Sequence, residues 1–185
     1  MAQTSDGAGV SMNEMRERRT TRVLLFDQDG RILLMRGRQP SAPDAPPVWY
    51  TVGGGAEPGE TIHETAVREI FEETGLGDAR LGAVVWYGEW VLLDRKQRPV
   101  LFKEHYIVAH TAGGELSRAG WQPLEHEFVD DVRWWRLDEL RLAEETIYPE
   151  GLAELLPDVL AGRFPPEPLV IRTVDGPVRP IPRLG

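Results

Sequence analysis

The chain has 185 residues, of which 41% are hydrophobic and 28% are charged, and it contains no cysteine. This length and composition predict one globular domain with a sizeable core. The absence of cysteine excludes disulfides, thiolate chemistry and cysteine-based zinc sites. The formal net charge of -9, without a long basic run, argues against binding of a nucleic-acid polymer but is compatible with a small phosphate-bearing substrate.

The two ends of the chain differ in composition from its middle. Residues 1–18 are rich in Gly, Ser, Met and charge and predict a flexible tail, and residues 164–185 predict an irregular proline-rich tail. Residues 19–163 are then the expected folded domain. The first residues have no apolar stretch typical of a signal peptide, and no apolar run approaches the length of a membrane span. We therefore expect a cytoplasmic protein without membrane contact.

Strand patterns begin the folded part. Two apolar runs at residues 23–26 and 32–35 bracket an Asp-Gly turn and predict a β-hairpin. Residues 37–47 have the composition of a loop, and a short strand predicted at residues 48–52 leads into three consecutive glycines. Further strands are predicted at residues 79–93, 100–110 and 129–137.

The region 138–161 has helical character but contains two prolines. Pro149 is suited to the first position of a helix, whereas Pro157 is expected to end or kink one. The alternation of strands with two helical regions predicts an α/β or α+β layer structure around a mixed sheet.

The best-defined helix is predicted at Ile62–Thr74. Thr61 and Glu64 have the spacing of a capping box, in which each side chain accepts from an unpaired N–H at the helix start. Gly75 stands where a left-handed C-terminal cap is expected. Apolar residues recur every four positions and predict a buried stripe formed by Ile62, Ala66 and Ile70.

Three carboxylates of this helix, Glu69, Glu72 and Glu73, are placed unfavourably. Like charges at this spacing cost roughly 0.2–0.5 kcal/mol per pair, and an exposed anion near a helix C-terminus costs about 0.3–1 kcal/mol. Arg68 offsets only part of this repulsion, whereas a divalent cation would offset all of it. Because clustered carboxylates are the oxygen ligands that Mg²⁺ and Mn²⁺ prefer, the helix predicts a metal site.

The loop before this helix supplies backbone where side chains would be in the way. The glycines at positions 53–55 allow carbonyls and amides to approach an ion or a phosphate closely, and Pro58 and Gly59 fit the centre of a type II turn. A glycine run or an acidic helix face alone is usually structural or simply solvated. Together they predict a cradle for a metal–diphosphate complex.

The joint pattern resembles the Nudix signature at every defined position of residues 54–76. The matching residues are Gly54, Glu60, Arg68, Glu69, Ile70, Glu72, Glu73, Gly75 and Leu76. The wider resemblance covers residues 21–162. It implies an α/β/α sandwich around a mixed β-sheet, and hydrolysis with Mg²⁺ or Mn²⁺ of a nucleoside diphosphate linked to another moiety.

The resemblance also implies roles for individual residues. The implied metal ligands are the carboxylates of Glu69, Glu72 and Glu73 and the carbonyl of Gly53 or Gly54. Glu69 is alternatively the group that orients the attacking water. The implied substrate contacts within the loop are Gly54 and Gly55. Structural roles are implied for Glu60, Arg68 and Gly75.

Outside the signature, many relatives use a glutamate in a loop before a late strand as the general base. Glu127 is the first candidate here, Glu125 the second and Glu115 the third. Arg36 and Arg38 follow the second strand and are candidates for binding the substrate phosphates. The alternative for this pair is two solvent-facing arginines at a strand end.

The expected function is a pyrophosphohydrolase acting on a small nucleotide or nucleotide-sugar. The alternative is a catalytically silent Nudix-like nucleotide-binding or regulatory module, which the intact signature disfavours. Two substrate markers are absent: Trp90 replaces the proline of the ADP-ribose group, and Leu92 replaces the tyrosine of the dinucleoside polyphosphate group. Many relatives are homodimers, and the aromatic-rich residues 83–93 or an apolar strand edge offer a surface for one.

Overall fold

Strands and helices alternate along the chain, as the sequence predicts. The structure is a computed structural model that describes residues 15–94 and 96–174. In chain order its elements are β1 (Arg16–Phe26), β2 (Ile32–Gly37), β3 (Val48–Thr51), α1 (Ile62–Thr74), β4 (Arg80–Leu93), β5 (Pro99–His110), α2 (Pro123–Phe128), β6 (Val129–Trp135), α3 (Leu137–Leu142), β7 (Ile147–Tyr148), α4 (Leu152–Leu160) and β8 (Leu169–Arg172).

The strands form one mixed sheet in the order β7-β3-β2-β1-β5-β4-β8, and β6 also pairs with β2. β1 runs parallel to β5, β3 to β7 and β4 to β8, while the other pairs are antiparallel. All 11 residues of β1 have partners in β5. On its other side β1 meets the glycine loop through two isolated bridges, of Val23 with Val52 and of Thr20 with Gly55.

Each face of the sheet buries its own apolar cluster, because alternate residues of a strand point to opposite faces. The cluster under α1 includes Val23, Leu25, Leu33, Ala66 and Ile70. The cluster under α3 and α4 includes Leu24, Phe26, Trp49, Leu140 and Leu156. Helices on both faces of a mixed sheet confirm the predicted α/β/α sandwich.

Local sequence signals define the elements nearest the site. α1 begins and ends at the predicted residues: Thr61 and Glu64 form the capping box, and Gly75 caps the helix with a φ of 75°. The hairpin of β1 and β2 is also confirmed. Its turn is held by Asp27, whose Oδ1 accepts from the amides of Asp29 and Arg31 at 3.0 and 2.9 Å.

Part of each expected tail forms a strand, so the tail prediction is wrong for residues 16–18 and 169–172. Residues 16–18 belong to β1 and pair with β5. β8 lies beyond residue 163 and pairs with β4, and its Arg172 lies over the Trp90 ring, 4.6 Å from the centroid. Partners far away in the sequence stabilise both strands, and local composition does not reveal such partners. The predictions for residues 1–14 and 175–185 fall outside the described residues.

The second helical region is divided by β7. α4 begins at Leu152 rather than at Pro149. Pro157 lies inside α4, which continues to Leu160. Pro157 therefore does not end the helix. The buried side chains of Leu156 and Val159 hold the last turns against the sheet, and this packing outweighs the loss of one N–H donor.

The aromatic part of β4 is covered within the chain. Trp86 and Trp90 are 3% and 7% exposed, and β4 lies between β5 and β8. The two tryptophans are thus internal, and the dimer suggested for residues 83–93 stays a prediction. None of the described helices is both long and apolar enough to cross a membrane.

Candidate active site

The glycine loop packs directly on β1 and on α1. The Gly53 amide donates to Glu73 Oε2 at 2.8 Å, and the Gly54 carbonyl accepts from the Thr21 amide at 2.9 Å. A Cβ on Gly54 would lie 2.3 Å from Glu69 Oε1, and a Cβ on Gly53 would lie 2.1 Å from the Thr21 carbonyl oxygen. The clash with backbone requires glycine at position 53, whereas a side chain at position 54 would have to displace the Glu69 carboxylate. This close approach places two glutamates of α1 under the loop.

Arg68 joins the loop to the carboxylates of α1. Its Nε and Nη2 donate to the two oxygens of Glu60 at 2.8 and 3.0 Å, and Nη2 also donates to the Gly55 carbonyl at 3.1 Å. Its Nη1 donates to Glu69 at 2.8 Å and to Glu72 at 3.1 Å. The hydrogen bonds from Arg68 are the largest cause that lowers the pKa of Glu60, to about 2. This is the geometry of an anchoring ion pair.

Glu69 and Glu73 are held out of water, with exposed fractions of 7% and 6%. Burial raises the pKa of Glu69, although the neighbouring Arg68 opposes this effect. Burial, followed by the charge of Glu69, raises the pKa of Glu73 well above 4.5, and the hydrogen bond from Gly53 opposes it only in part. Two adjacent buried carboxylates of this kind are stabilised by a further cation.

The carboxylates are not preassembled around a single point. Within residues 15–94 and 96–174 no group of three or more metal-ligating side chains is arranged to hold an ion. Glu69 and Glu72 face Arg68, and Glu73 faces Gly53. The donor set still fits a hard divalent cation, because it offers carboxylate oxygens whose buried charge is only partly compensated. Glu69, Glu72 and Glu73 are the residues that would hold it.

The two backbone carbonyls considered as ligands each accept one hydrogen bond. The Gly53 carbonyl accepts from Arg22 Nη1 at 3.3 Å, and the Gly54 carbonyl accepts from the Thr21 amide at 2.9 Å. A carbonyl oxygen has two lone pairs, so each retains one acceptor position. Either carbonyl thus stays a candidate ligand.

A second loop closes the site at the C-terminal end of α1. Trp121 Nε1 donates to the Glu73 carbonyl at 2.8 Å, and the Ser117 amide donates to the Thr74 carbonyl at 2.8 Å. These bonds satisfy carbonyls that the end of a helix leaves unpaired. They also hold the loop against the end of α1.

α2 follows this loop and carries two of the three candidates for the general base. Glu125 is half-buried, and its charge is among the causes that raise the pKa of Glu69 and Glu73, after burial and nearer groups. Glu127 is exposed on the same helix, and Glu115 is exposed in the preceding loop. The structure therefore brings the charge of the second-ranked candidate to the buried carboxylates.

Arg36 and Arg38 are already paired with other carboxylates. Arg36 Nε lies 2.7 Å from Glu145 Oε1, and Arg36 Nη1 lies 3.3 Å from Asp130 Oδ2. Arg38 Nη1 donates to both oxygens of Asp130, at 3.0 and 2.9 Å. These ion pairs already occupy the two guanidinium groups that the sequence predicted as binding groups for the substrate phosphates.

Sequence reasoning missed Arg18 of β1, because it placed residues 1–18 in a tail. The Arg18 side chain lies across Gly55, where a Cβ would come within 2.3 Å of its Nε, and over Phe102, 5.8 Å from the ring centroid. Burial and the charge of Arg22 lower the pKa of Arg18, whereas Glu69 opposes them. Arg18 forms no ion pair with another described residue. The arginines at the start of β1, at positions 16, 18 and 19, were the available signal.

A NUDIX domain model matches residues 16–159, which include all of the site described above. The chain belongs to the Nudix family. The match begins where β1 begins, so it supports the inclusion of residues 16–18 in the domain.

Similar proteins of known name support the assignment of this chain to the Nudix family. The RNA pyrophosphohydrolase of Caulobacter vibrioides is 32% identical over 133 residues, covering 63% of this chain and 70% of that protein. The mRNA-decapping enzyme subunit 2 of Arabidopsis thaliana is 30% identical over 136 residues, covering 74% of this chain but only 32% of its own length. The chain thus spans about a third of that relative.

A solved structure shares the fold. The E. coli ORF135 protein has a TM-score of 0.54 at 22% identity, covering 85% of this chain and 100% of that one. The family match, the relatives and this structure agree on the Nudix family and fold. Nudix hydrolases generally use divalent metals, in agreement with the donor set described above.

The buried charge of Glu73 predicts that Glu73→Gln stabilises the protein in EDTA. A carboxyl whose folded pKa is raised favours the folded state below its unfolded pKa, and this contribution is lost as the pH rises through the folded pKa. The variant and the wild type should therefore have similar melting temperatures near the ordinary value of 4.5. Toward pH 7 the variant should melt at least about 3 °C higher, equivalent to about 1 kcal/mol.

Glu72→Gln is the matched control, because it removes the same charge from a neighbouring side chain that is 32% exposed. Differential scanning fluorimetry across this pH range measures both variants. An equal rise in melting temperature for Glu72→Gln, or no rise for Glu73→Gln, would show that burial of Glu73 is not the cause.

Proposed function

We propose that this chain is a divalent-metal-dependent hydrolase that cleaves the pyrophosphate bond of a nucleoside diphosphate linked to another moiety, in a small nucleotide or nucleotide-sugar. The observation that carries the proposal is the buried pair Glu69 and Glu73 beneath the glycine loop. Burying two adjacent carboxylates destabilises a fold unless a cation accompanies them. The intact signature disfavours a silent binding module.

Each residue of the signature then has a distinct task. Glu69, Glu72 and Glu73, with the carbonyl of Gly53 or Gly54, hold Mg²⁺ or Mn²⁺. When bound, the ion neutralises charge on the phosphate oxygens and the leaving group. Glu69 also orients the attacking water. The structural positions belong to Glu60, Arg68 and Gly75.

The activity should depend on the carboxylates and on a divalent cation together. Glu72→Gln and Glu73→Gln should each lower kcat/KM by at least about 100-fold, the upper end of the loss expected for residues that only support a ligand. Glu144→Gln removes an exposed acid that, among the described residues, makes no hydrogen bond or ion pair with the loop, and it should retain activity. Release of orthophosphate or nucleoside monophosphate is measured with Mg²⁺, Mn²⁺ or EDTA. Full activity in both variants or in EDTA would overturn the metal assignment.

Glu125 is our choice for the general base, in place of Glu127. A general base must come within hydrogen-bond reach of the attacking water, and the charge of Glu125 already acts on the carboxylates that surround the reaction. Its Oε2 accepts from the Gln122 amide at 2.6 Å, which orients the carboxylate and leaves the other oxygen for a water.

Glu125→Gln and Glu127→Gln form a matched pair on one short helix. We expect Glu125→Gln to lower kcat by about 10²–10⁴-fold and to remove the acidic limb of its pH profile, because glutamine accepts no proton. Glu127→Gln should change kcat little. Steady-state kinetics between pH 5 and 9 give the comparison. The reverse ranking would restore Glu127 as the base.

Arg18, with the backbone of Gly54 and Gly55, is our candidate for binding the substrate phosphates. Its guanidinium lies beside the loop and has no carboxylate partner among the described residues, whereas Arg36 and Arg38 are paired. A phosphate would therefore meet an available charge at Arg18.

Arg18→Met and Arg38→Met remove the same charge from these two places. Loss of a charged hydrogen bond to substrate costs about 1.5–3 kcal/mol, so Arg18→Met should raise KM roughly 10- to 100-fold. Arg38→Met should leave KM within about twofold if its ion pair is peripheral to the site. A larger increase in KM for Arg38→Met than for Arg18→Met would assign phosphate binding to the arginines at the end of β2 instead.

The names of two relatives favour a second substrate, the phosphorylated 5′ end of an RNA. The same site would cleave the same type of bond in either substrate. The net charge of -9 argues for the small nucleotide, since a long anionic chain is repelled by an acidic surface. The discriminating assay compares nucleoside triphosphates, nucleotide-sugars and a 5′-triphosphorylated RNA oligonucleotide at equal concentration. Preference for the oligonucleotide would replace the small substrate.

A further inference from the structure

A continuous line of hydrogen bonds connects the core of the sheet to the glycine loop. The Tyr106 hydroxyl donates to Glu104 Oε2 at 2.7 Å, and Arg22 Nε donates to Glu104 Oε1 at 2.8 Å. Arg22 Nη1 then donates to the Gly53 carbonyl at 3.3 Å. From the same residue, the Gly53 amide donates to Glu73 Oε2 at 2.8 Å. The line thus ends on a proposed metal ligand.

The parallel pairing of β1 with β5 assembles this line. Arg22 is the register partner of Tyr106, and Thr20 is the register partner of Glu104. The side chains of Arg22, Glu104 and Tyr106 therefore lie near one another on one face of the sheet. Glu104 and Tyr106 are 5% and 2% exposed. Burial and the Glu104 charge raise the pKa of Tyr106, which keeps the phenol protonated as a donor. Both oxygens of Glu104 are therefore occupied, and Arg22 is held by a fixed partner.

The two strands do not depend on this ion pair for their association. β1 and β5 are already paired along all 11 residues of β1. Replacing a buried ion pair by apolar residues is often neutral for stability. The pair therefore suggests a role that strand pairing does not supply. Among the described residues, its hydrogen bond outside the sheet goes to the Gly53 carbonyl.

The backbone of Gly53 is suited to transmit the position of Arg22 to Glu73. Its φ of 133° and the contact that a Cβ would make with the Thr21 carbonyl exclude other residues at this position. Arg22 donates to the Gly53 carbonyl, and the Gly53 amide donates to Glu73. A shift of the Gly53 backbone therefore moves a proposed backbone ligand and a proposed carboxylate ligand together.

We propose that Arg22 and Glu104, supported by Tyr106, are positioning residues that fix the backbone of Gly53 and, through it, the Glu73 carboxylate. This inference rests on the proposed function, because it assigns the residues to the geometry of the same site. Among the described residues, Glu104 has no hydrogen bond to the loop or to the signature carboxylates. It therefore acts through Arg22.

The test compares Glu104→Gln, Arg22→Met, their double variant and Tyr106→Phe with wild type. Glu104→Gln preserves shape and should lower kcat about tenfold, the size of effect typical of residues that support ligands, while KM changes less than about twofold. Mn²⁺ affinity, measured by electron paramagnetic resonance without substrate, should weaken about threefold or more. The double variant should resemble Arg22→Met, since both residues belong to one line. Tyr106→Phe should show a smaller loss of the same kind.

Arg31→Met is the matched control, because it removes an ion pair of 2.7 Å to the buried Asp27, in the turn that follows β1. Its kcat and Mn²⁺ affinity should equal those of wild type, even if its melting temperature falls as far as that of Glu104→Gln. The inference is overturned if Glu104→Gln and Tyr106→Phe are folded and retain both wild-type values, or if Arg31→Met loses as much.

Failure of the proposed function gives a different result. Wild-type protein that hydrolyses no compound of the panel overturns the hydrolase proposal, and Mn²⁺ affinity alone then decides the inference. Weaker Mn²⁺ binding in Glu104→Gln than in Arg31→Met supports it, and equal binding overturns it.

Discussion

The side chains of Glu69 and Glu73 are buried on the same side of α1, beneath the glycine loop. Desolvation of a carboxylate is expensive, and two of them side by side add mutual repulsion. The other polar contacts around the loop are arranged about this constraint. Arg68 supplies a cation on one side, the Gly53 amide supplies a donor, and Trp121 closes the helix end above Glu73. A site organised in this way trades stability of the fold for affinity toward a cation.

β1 connects this constraint to the rest of the sheet. It pairs with β5 along one edge, and along the other it meets the glycine loop through bridges at Val52 and Gly55. The loop is therefore an extension of the sheet rather than a free segment, and this explains why its glycines lie against backbone. The same strand carries Arg18 above the loop and Arg22 beside it. Placement of positive charge around the carboxylates is consequently a property of strand register.

The difference between what the sequence predicts and what it misses follows from the range of the interactions. α1 was predicted at its observed bounds, because Thr61, Glu64 and Gly75 act within one turn of the helix ends. The signature is also a local pattern, and the sandwich was implied by the resemblance that the signature carries. Arg18 and Arg22 were missed because their positions depend on β5, about 80 residues away. The pairing of Arg36 with Glu145, and the orientation of α2 that separates Glu125 from Glu127, depend on tertiary packing in the same way.

The bonds of Arg68 divide into two independent sets, and this division bears on how the site accommodates a cation. Nε and Nη2 serve Glu60 and the Gly55 carbonyl, whereas Nη1 alone serves Glu69 and Glu72. The first set keeps the guanidinium in place whichever partner the two carboxylates of α1 take. A lysine has a single point of charge and offers no such separation. Arginine at this position therefore compensates the carboxylates while they face it, and it still anchors the loop when they do not.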